Sequence, residues 1–147
     1  MENVLKIKKV RDSATIPTRA TSGSAGMDLY ACLNEEVVIY PQKLVVVPVG
    51  ISIELESNQF GAFIYARSGL GIKNGICLSN GVGVIDSDYT GEICVGLCNV
   101  SDVPYTIQNG DRVAQMVIMP VATPQIEEVL EIKDTKRGDN GFGSTGK

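Results

Sequence analysis

The chain has 147 residues, enough for one domain that buries a hydrophobic core without disulfide or metal staples. Apolar residues make up 44% and charged residues 20%, which is typical of a globular protein. The net charge of −4 argues against general nucleic-acid binding, which normally requires a basic surface. No apolar run reaches the roughly 18 residues of a membrane span, so we expect neither a nucleic-acid nor a membrane partner.

The N-terminal residues are basic but lack the continuous apolar stretch of a secretory signal, and this predicts an intracellular protein of the cytoplasm or nucleus. The chain contains no histidine. This excludes Ser-His-Asp and Cys-His nucleophilic mechanisms and nearly all zinc-hydrolase mechanisms. Hydrolysis would therefore depend on carboxylates and on a hard cation held mainly by oxygen. The cysteines form no C-x-x-C pair and are predicted to be reduced, buried thiols.

Short segments with the character of β-strands follow one another along the chain: residues 5–8, 51–55 and 113–117 alternate, and the others are β-branched or aromatic-rich runs of strand length. In chain order they are residues 5–8, 43–49, 51–55, 61–66, 91–99 and 113–117, with turn-forming Gly, Ser, Asn and Asp between them. Residues 68–74 predict at most a short turn or helix. Many short strands punctuated by glycine indicate an all-β sandwich or barrel, and a jelly roll is the favoured form.

The C-terminal residues differ in composition from the rest of the chain. Residues 137–147 are rich in glycine and contain one aromatic side chain, Phe142. Such a segment cannot bury enough apolar surface to fold alone, so it is predicted to be mobile until a ligand orders it. We expect a jelly-roll domain over residues 1–136 and a flexible lid of the same domain over residues 137–147.

Five segments interrupt the strand pattern with glycine and polar residues together. They are residues 25–31 (AGMDLYA), 66–71 (ARSGLG), 80–91 (NGVGVIDSDYTG), 110–115 (GDRVAQ) and 136–146 (KRGDNGFGSTG). The second and fifth combine arginine, hydroxyl groups and glycine backbone, which are the groups that bind phosphate oxygens. Two such sets indicate a polyphosphate ligand. Taken singly, each segment also fits an ordinary turn or strand end, and Asp86 fits an acidic strand cap.

The ordered set of five segments resembles the dUTPase family (deoxyuridine triphosphate nucleotidohydrolases). The matching pattern is A-G-x-D-L-x-A, R-S-G-L, G-V-I-D-x-D-Y-x-G, G-D-R-x-A-Q and R-G-x-x-G-F-G-S-T-G, and it extends from Ala25 to Gly146. Asn140 departs from it, because many relatives have glycine there, but asparagine tolerates left-handed backbone. The resemblance implies a distorted, β-clip-like jelly-roll subunit, a homotrimer with shared active sites, and Mg2+-assisted hydrolysis of dUTP to dUMP and pyrophosphate.

The resemblance also implies roles for residues on the nucleoside side of the substrate. Asp86 would orient and deprotonate the water that attacks the α-phosphate. Tyr89 would pack beneath the deoxyribose, where a ribose 2′-hydroxyl would collide. Phe142 of the lid would stack on uracil. The hairpin would read uracil mainly through backbone groups, at Asn80, Gly83, Val84 and Ile85.

On the phosphate side, the resemblance implies two groups of contacts. The body of the domain would supply Arg67, Ser68, Gly69 and Gln115. The lid would hold the outer phosphates with Arg137, Gly143, Ser144 and Thr145. Asp28 would support the water shell of a Mg2+ ion held mainly by the triphosphate.

In the cell, this reaction would limit uracil incorporation into DNA and supply dUMP for dTMP synthesis.

Three alternatives remain open at the level of sequence. The first is a dCTP deaminase on the same fold, and the second is a jelly-roll interaction module that lacks turnover. The third is a general nucleoside triphosphatase with comparable rates on UTP or dTTP.

Overall fold

The computed structural model describes residues 4–141. This part of the chain is almost entirely β-structure with one short helix, α1, at Ser68–Asn74, as the sequence predicts. The strands in chain order are β1 (Lys6–Lys9), β2 (Met27–Tyr30), β3 (Val37–Ile39), β4 (Leu44–Pro48), β5 (Ile51–Glu54), β6 (Phe60–Tyr65), β7 (Ile76–Leu78), β8 (Gly83–Ile85), β9 (Cys94–Asn99), β10 (Tyr105–Ile107) and β11 (Arg112–Pro120).

The strands form antiparallel sheets in which no described pairing joins neighbours along the chain. One sheet has four strands in the order β2-β11-β6-β8, and another has three in the order β4-β9-β7. Two smaller sheets pair β1 with β5 and β10 with β3. Pairing between strands that are distant in sequence, without simple hairpins, is the organisation of a jelly roll, which protects its edges by exchanging strands between sheets.

Alternating side chains of these strands build the core. On β9, Val95 and Leu97 point inwards, and Val47 of the neighbouring β4 joins them. The inner faces of the sheets meet on a cluster of large, fully buried side chains: Leu29, Ile39, Ile51, Ile76, Ile93, Leu97, Ile107 and Met116. Side chains of β4 and β9 on the opposite face, such as Leu44 and Val46, are exposed.

Four strands are not predicted from the sequence, namely β2, β3, β7 and β10, whereas β8 falls in the segment 80–89 that the resemblance places in a hairpin. Each of the four has only three or four residues, too few to show a period of two. Their partners are all distant in sequence, so nothing local marks them as strands.

The prediction that all cysteines are buried was wrong for one of them. Cys32 is buried and Cys77 and Cys98 are partly buried, but Cys94 is exposed at the start of β9. Its position beside Pro48, the last residue of β4, places it at the end of the three-stranded sheet, where packing is incomplete. All four cysteines are free thiols.

Within residues 4–141, no helix is long and apolar enough to cross a membrane. The division of the chain into a domain over residues 1–136 and a lid over residues 137–147 stays a prediction. The described part of the proposed lid, residues 137–141, is mostly exposed.

Truncating a core isoleucine should destabilise the fold far more than truncating an exposed one. Ile39 is 0% exposed and Ile72 is 85% exposed. Ile39→Ala should lower the free energy of unfolding by about 2–5 kcal/mol, because it removes buried apolar surface and leaves a cavity. Ile72→Ala removes the same atoms from a side chain that is already exposed to solvent, and it should change the free energy of unfolding by about 0.5 kcal/mol or less. Denaturant unfolding at one protein concentration measures both, and equal losses would contradict this packing.

Candidate active site

Strand β11 brings three distant parts of the chain into one row. Gln115 of β11 lies opposite Asp28 of β2 on one side and opposite Tyr65, the last residue of β6, on the other. The chain leaves β6 directly into Ala66 and Arg67. The Nε atom of Arg67 donates a hydrogen bond of 2.8 Å to Oδ1 of Asp28, so the row carries both a carboxylate and a guanidinium.

A second arginine faces the same carboxylate. Nη1 of Arg112, at the start of β11, lies 3.5 Å from Oδ2 of Asp28. Arg112 lies in the fourth of the five sequence motifs, but the sequence assigns it no role, because a single arginine in a strand does not differ in pattern from an ordinary surface residue. Two guanidinium groups share one carboxylate here, so the local charge is positive.

A cavity of about 350 Å³ opens at this point, and we call it the cationic cavity. Its polar lining includes Ser24, Asp28, Arg67, Ser68, Arg112 and Gln115. Ser68 and Gly69 follow Arg67 at the start of α1 and are exposed, although Gly69 is not part of the lining. Arginine forks and hydroxyl groups that converge on one space suit the oxygens of a phosphate.

Gln115 is held in one orientation inside this cavity. Its Nε2 atom donates a hydrogen bond of 2.9 Å to the carbonyl oxygen of Ala66. Its Oε1 atom faces Gly26, and a Cβ atom at position 26 would lie only 2.5 Å from that oxygen. Glycine at position 26 therefore makes room for the amide of Gln115.

A separate cavity of about 310 Å³ lies beside β8, and we call it the hairpin cavity after the hairpin that the resemblance implies for residues 80–89. Among the described residues β8 pairs with β6, so this segment is a strand followed by a turn rather than a hairpin. All six residues that the sequence assigned to the nucleoside side of the body line it: Asn80, Gly83, Val84, Ile85, Asp86 and Tyr89. Strand β8 is packed closely on β6, since a Cβ atom at Gly83 would lie 3.0 Å from Cβ of Ile64. Close backbone packing of this kind gives the cavity a rigid wall.

Asp86 follows β8 and stands at the exposed mouth of the hairpin cavity. Its carbonyl oxygen accepts a hydrogen bond of 3.1 Å from the backbone N–H of Tyr89, which closes a tight turn. Its carboxylate has no hydrogen-bond partner among residues 4–141 and is free to accept one from water. The ring of Tyr89 is half exposed, and its hydroxyl donates a hydrogen bond of 2.9 Å to the carbonyl oxygen of Glu92.

The two cavities have no lining residue in common. The hairpin cavity adjoins β8 and the cationic cavity adjoins β2, the opposite edges of the four-stranded sheet. Along the pairing of β6 with β8, Ile85 lies opposite Ala62, so Asp86 is near the start of β6, whereas Arg67 follows its end. About six residues of strand, or roughly 20 Å, separate these two positions. One chain therefore does not bring Asp86 together with Arg67, Ser68 and Gln115.

Of the residues predicted in the lid, the structure describes only Arg137. Its Nε atom donates a hydrogen bond of 2.9 Å to the carbonyl oxygen of Asn140. Phe142, Gly143, Ser144 and Thr145 lie outside the described residues. No group of three or more His, Cys, Asp or Glu side chains that could hold a metal ion occurs in the part of the chain described.

An all-β subunit with a cationic cavity and a second cavity at whose mouth a free carboxylate follows β8 has the parts of a nucleotide-hydrolysing jelly roll. The family model for dUTPase matches residues 12–146. Two relatives named deoxyuridine 5′-triphosphate nucleotidohydrolase are similar along their whole lengths. The chain is 47% identical to that of Neisseria meningitidis serogroup A, over 99% of this chain and 97% of the relative. It is 49% identical to that of Desulfitobacterium hafniense, over 97% and 95%.

Among solved structures, a Staphylococcus bacteriophage 80alpha dUTPase with dUPNHPP is similar, with a TM-score of 0.88 and 27% identity over 98% of this chain and 99% of that one. The chain belongs to the dUTPase family, and its enzyme class is dUTP diphosphatase. The resemblance inferred from the five motifs and the jelly-roll fold are thereby confirmed. The dCTP deaminase and the inactive interaction module are both disfavoured by the names of these relatives.

The contact between Gly26 and Gln115 leads to a prediction for substrate affinity. Gly26→Ala should force the Gln115 amide out of its position and raise the KM for dUTP about tenfold or more, the cost of about one hydrogen bond to a charged group. Gly23→Ala is the matched control, because a Cβ atom there would come no closer than 3.9 Å to Oγ1 of Thr21. Steady-state kinetics on both variants tests this, and an unchanged KM in Gly26→Ala would refute it.

Proposed function

We propose that this enzyme hydrolyses dUTP to dUMP and pyrophosphate by in-line attack of a water molecule on the α-phosphorus, with Asp86 as the general base. The observation that carries this proposal is the free, exposed carboxylate of Asp86 at the mouth of the hairpin cavity. A base must reach the proton that it removes directly or through one water. Asp86 can do so for a water that lies between it and a nucleotide bound in that cavity.

The hairpin cavity would take the uracil and the deoxyribose. Asn80, Gly83, Val84 and Ile85 would present backbone donors and acceptors to the uracil edge, and Tyr89 would lie beneath the sugar. Cytosine would leave such groups unpaired, a mismatch that can cost on the order of 10,000-fold in kcat/KM. Thymine would be rejected by the collision of its methyl group with the hairpin. Comparable rates with UTP or dTTP would favour a general triphosphatase instead.

The cationic cavity would take the phosphates. Arg67, Ser68, Gly69 and Gln115 would contact phosphate oxygens, and the position of Arg112 adds it to this set. Attack by water on the α-phosphorus builds negative charge on those oxygens. Fixed guanidinium groups stabilise that charge without having to reorganise, because Asp28 already orients them.

The donor set fits a Mg2+ ion carried mainly by the triphosphate, and Mg2+ is the cofactor that we propose. The carboxylate of Asp28 faces the guanidinium groups of Arg67 and Arg112 and is mostly buried. It is suited to accept a hydrogen bond from a metal-bound water rather than to coordinate the ion itself. When bound, Mg2+ would neutralise phosphate charge and polarise the phosphoryl oxygens.

The functional unit that we propose is a homotrimer with active sites shared between subunits. The separation of the two cavities supports this, since the hairpin cavity of one chain must meet the cationic cavity of another to form a complete site. The exposed apolar surface also supports association. Leu44 and Val46 of β4 are 64% and 63% exposed, and Ile126 and Leu130 in the extended segment after β11 are fully exposed.

The lid would close over the bound triphosphate, with Phe142 stacked on uracil and with Arg137, Gly143, Ser144 and Thr145 on the outer phosphates. Ordering chain costs roughly 1–2 kcal/mol per residue in backbone freedom, whereas a base stack contributes about 1–3 kcal/mol. Closure of the lid would therefore depend on the bound triphosphate more than on the base.

In the cell, in the cytoplasm or the nucleus, the reaction would limit uracil incorporation into DNA and supply dUMP for dTMP synthesis.

The role of Asp86 can be separated from nucleotide binding. Asp86→Asn should lower kcat for dUTP by about 100- to 10,000-fold while retaining affinity for a non-hydrolysable dUTP analogue, because the amide keeps the shape but cannot accept the proton. Asp88→Asn is the control, since Asp88 is an exposed carboxylate in the same turn that does not line the cavity. Pyrophosphate release and calorimetric titration measure the two quantities. Equal losses of turnover and binding would remove Asp86 as the base.

Shared sites predict that two inactive variants restore each other. Asp86→Asn removes the base from the hairpin cavity, and Arg67→Ala removes a cation from the cationic cavity. Mixed trimers of the two should regain part of the wild-type turnover, because some of their sites combine an intact hairpin with an intact cationic cavity. Co-expression with two affinity tags isolates these trimers. Mixed trimers no more active than either variant, or a monomeric mass in gel filtration, would contradict shared sites.

A further inference from the structure

The ring of Tyr89 is held from behind by residues to which the resemblance assigns no role. Its hydroxyl donates a hydrogen bond of 2.9 Å to the carbonyl oxygen of Glu92. The ring lies directly against the backbone of Gly91, where a Cβ atom would be 2.6 Å from Oη and 2.7 Å from Cζ of Tyr89. The ring can therefore occupy this position only because residue 91 is glycine.

The carboxylate of Glu92 is in turn fixed by Arg11, which follows β1. Nε of Arg11 lies 2.6 Å from Oε1 of Glu92, and Nη2 lies 3.0 Å from Oε2, a bidentate pair. The backbone N–H of Gly50 donates a third hydrogen bond, of 3.1 Å, to Oε1. Bidentate geometry restricts both side chains more than a single contact does.

The backbone on both sides of this contact is also fixed. The N–H of Val10 donates a hydrogen bond of 2.8 Å to the carbonyl oxygen of Gly50, so Arg11 and Gly50 are held beside each other. The N–H of Ile93 donates one of 2.9 Å to the carbonyl oxygen of Ile51. That N–H belongs to the same peptide group as the Glu92 carbonyl, so the acceptor of the Tyr89 hydroxyl has a set direction.

We propose that Arg11, Gly91 and Glu92 are positioning residues for Tyr89, and that this Arg11–Glu92 support sets how strictly the enzyme rejects a ribose 2′-hydroxyl. The proposal rests on the proposed function, in which Tyr89 lies beneath the deoxyribose. A ring that excludes one hydroxyl group must be placed to within a fraction of an ångström. The support supplies that placement from the β1–β5 sheet, outside the four-stranded sheet that carries β8.

The ion pair also affects charge inside the hairpin cavity. Glu92 lines the same cavity as Asp86 and Tyr89, and without a partner its carboxylate would add to the negative charge that Asp86 already places near an anionic nucleotide. The guanidinium of Arg11 compensates that charge. Replacing Arg11 should therefore impair binding of both dUTP and UTP in addition to lowering the preference for dUTP, whereas replacing Glu92 should affect mainly that preference.

The chain supplies a matched control for a merely structural ion pair. Lys6 and Glu54 form a contact of 2.5 Å on the same β1–β5 sheet, but both side chains are well exposed and touch neither cavity. Exposed pairs of this kind contribute little to stability. Lys6→Ala should leave the ratio of kcat/KM for dUTP to that for UTP unchanged.

The test compares this dUTP-to-UTP ratio across variants of the whole enzyme. Glu92→Ala and Tyr89→Phe should each lower the ratio about 10- to 100-fold, the scale of a misplacement of about 1 Å. Combined, they should be no worse than either alone, because Tyr89→Phe removes the hydroxyl and Glu92→Ala releases the backbone that carries its acceptor, and residues coupled in this way are non-additive. Arg11→Lys should restore part of the ratio that Arg11→Ala loses.

Several outcomes decide the proposal. One outcome is that Tyr89→Ala lowers the ratio, whereas Glu92→Ala and Arg11→Ala lower only the melting temperature. In that case Tyr89 selects against ribose as proposed, but Arg11 and Glu92 do not position it, and the inference fails. If Tyr89→Ala itself leaves the ratio unchanged, the proposed role of Tyr89 fails and the inference with it. Gly91→Ala should also lower the ratio, because its Cβ atom would displace the Tyr89 ring, and an unchanged ratio in a folded Gly91→Ala enzyme would overturn the proposal. If Gly91→Ala does not fold, the double variant of Tyr89 and Glu92 still decides, and additive losses there overturn the proposal.

Discussion

The double pairing of β11 is the constraint on which the phosphate-binding part of the enzyme depends. Gln115 lies between Asp28 and Tyr65 in one row across three strands, and the ion pair of Arg67 with Asp28 closes the row at its end. These residues come from three distant parts of the sequence. A slip of one residue in either pairing would turn Gln115 or Asp28 to the opposite face of the sheet. The site therefore forms only when both strand pairings have the correct register.

Asp28 shows how a cationic site remains ordered without its ligand. Its carboxylate faces the guanidinium groups of both Arg67 and Arg112. This reduces the net positive charge offered to a phosphate, but it also removes rotamer freedom from two long side chains before the substrate arrives. Each arginine carries roughly 2 kcal/mol of rotamer entropy, which a site with unrestrained arginines would lose on binding. The arrangement therefore keeps the two arginine side chains oriented at the expense of part of their electrostatic attraction for phosphate.

The sequence predicted the parts of this enzyme better than their arrangement. The β-branched runs at residues 43–49 and 91–99 and the alternating run at residues 113–117 are long enough to reveal β4, β9 and β11, and the glycine-rich segments identify the family. Strands of three residues such as β3 and β10 show no period, because their stability comes from partners far along the chain. The contact of Arg11 with Glu92 spans 81 positions and leaves no local pattern either. Separate cavities likewise follow from sheet order and from the register of β6 with β8, which short motifs do not encode.

That separation has a chemical consequence for the base. A carboxylate placed in the cationic cavity pairs with guanidinium, as Asp28 does, and is then unavailable to a water molecule. Asp86 stands at the other edge of the sheet with no partner among the described residues, so it remains free until a nucleotide spans the two cavities. If the cavities of neighbouring subunits meet as proposed, the phosphates lie between Asp86 and the arginines and keep the base from forming an ion pair with them. Shared sites then keep the general base active as well as completing the site.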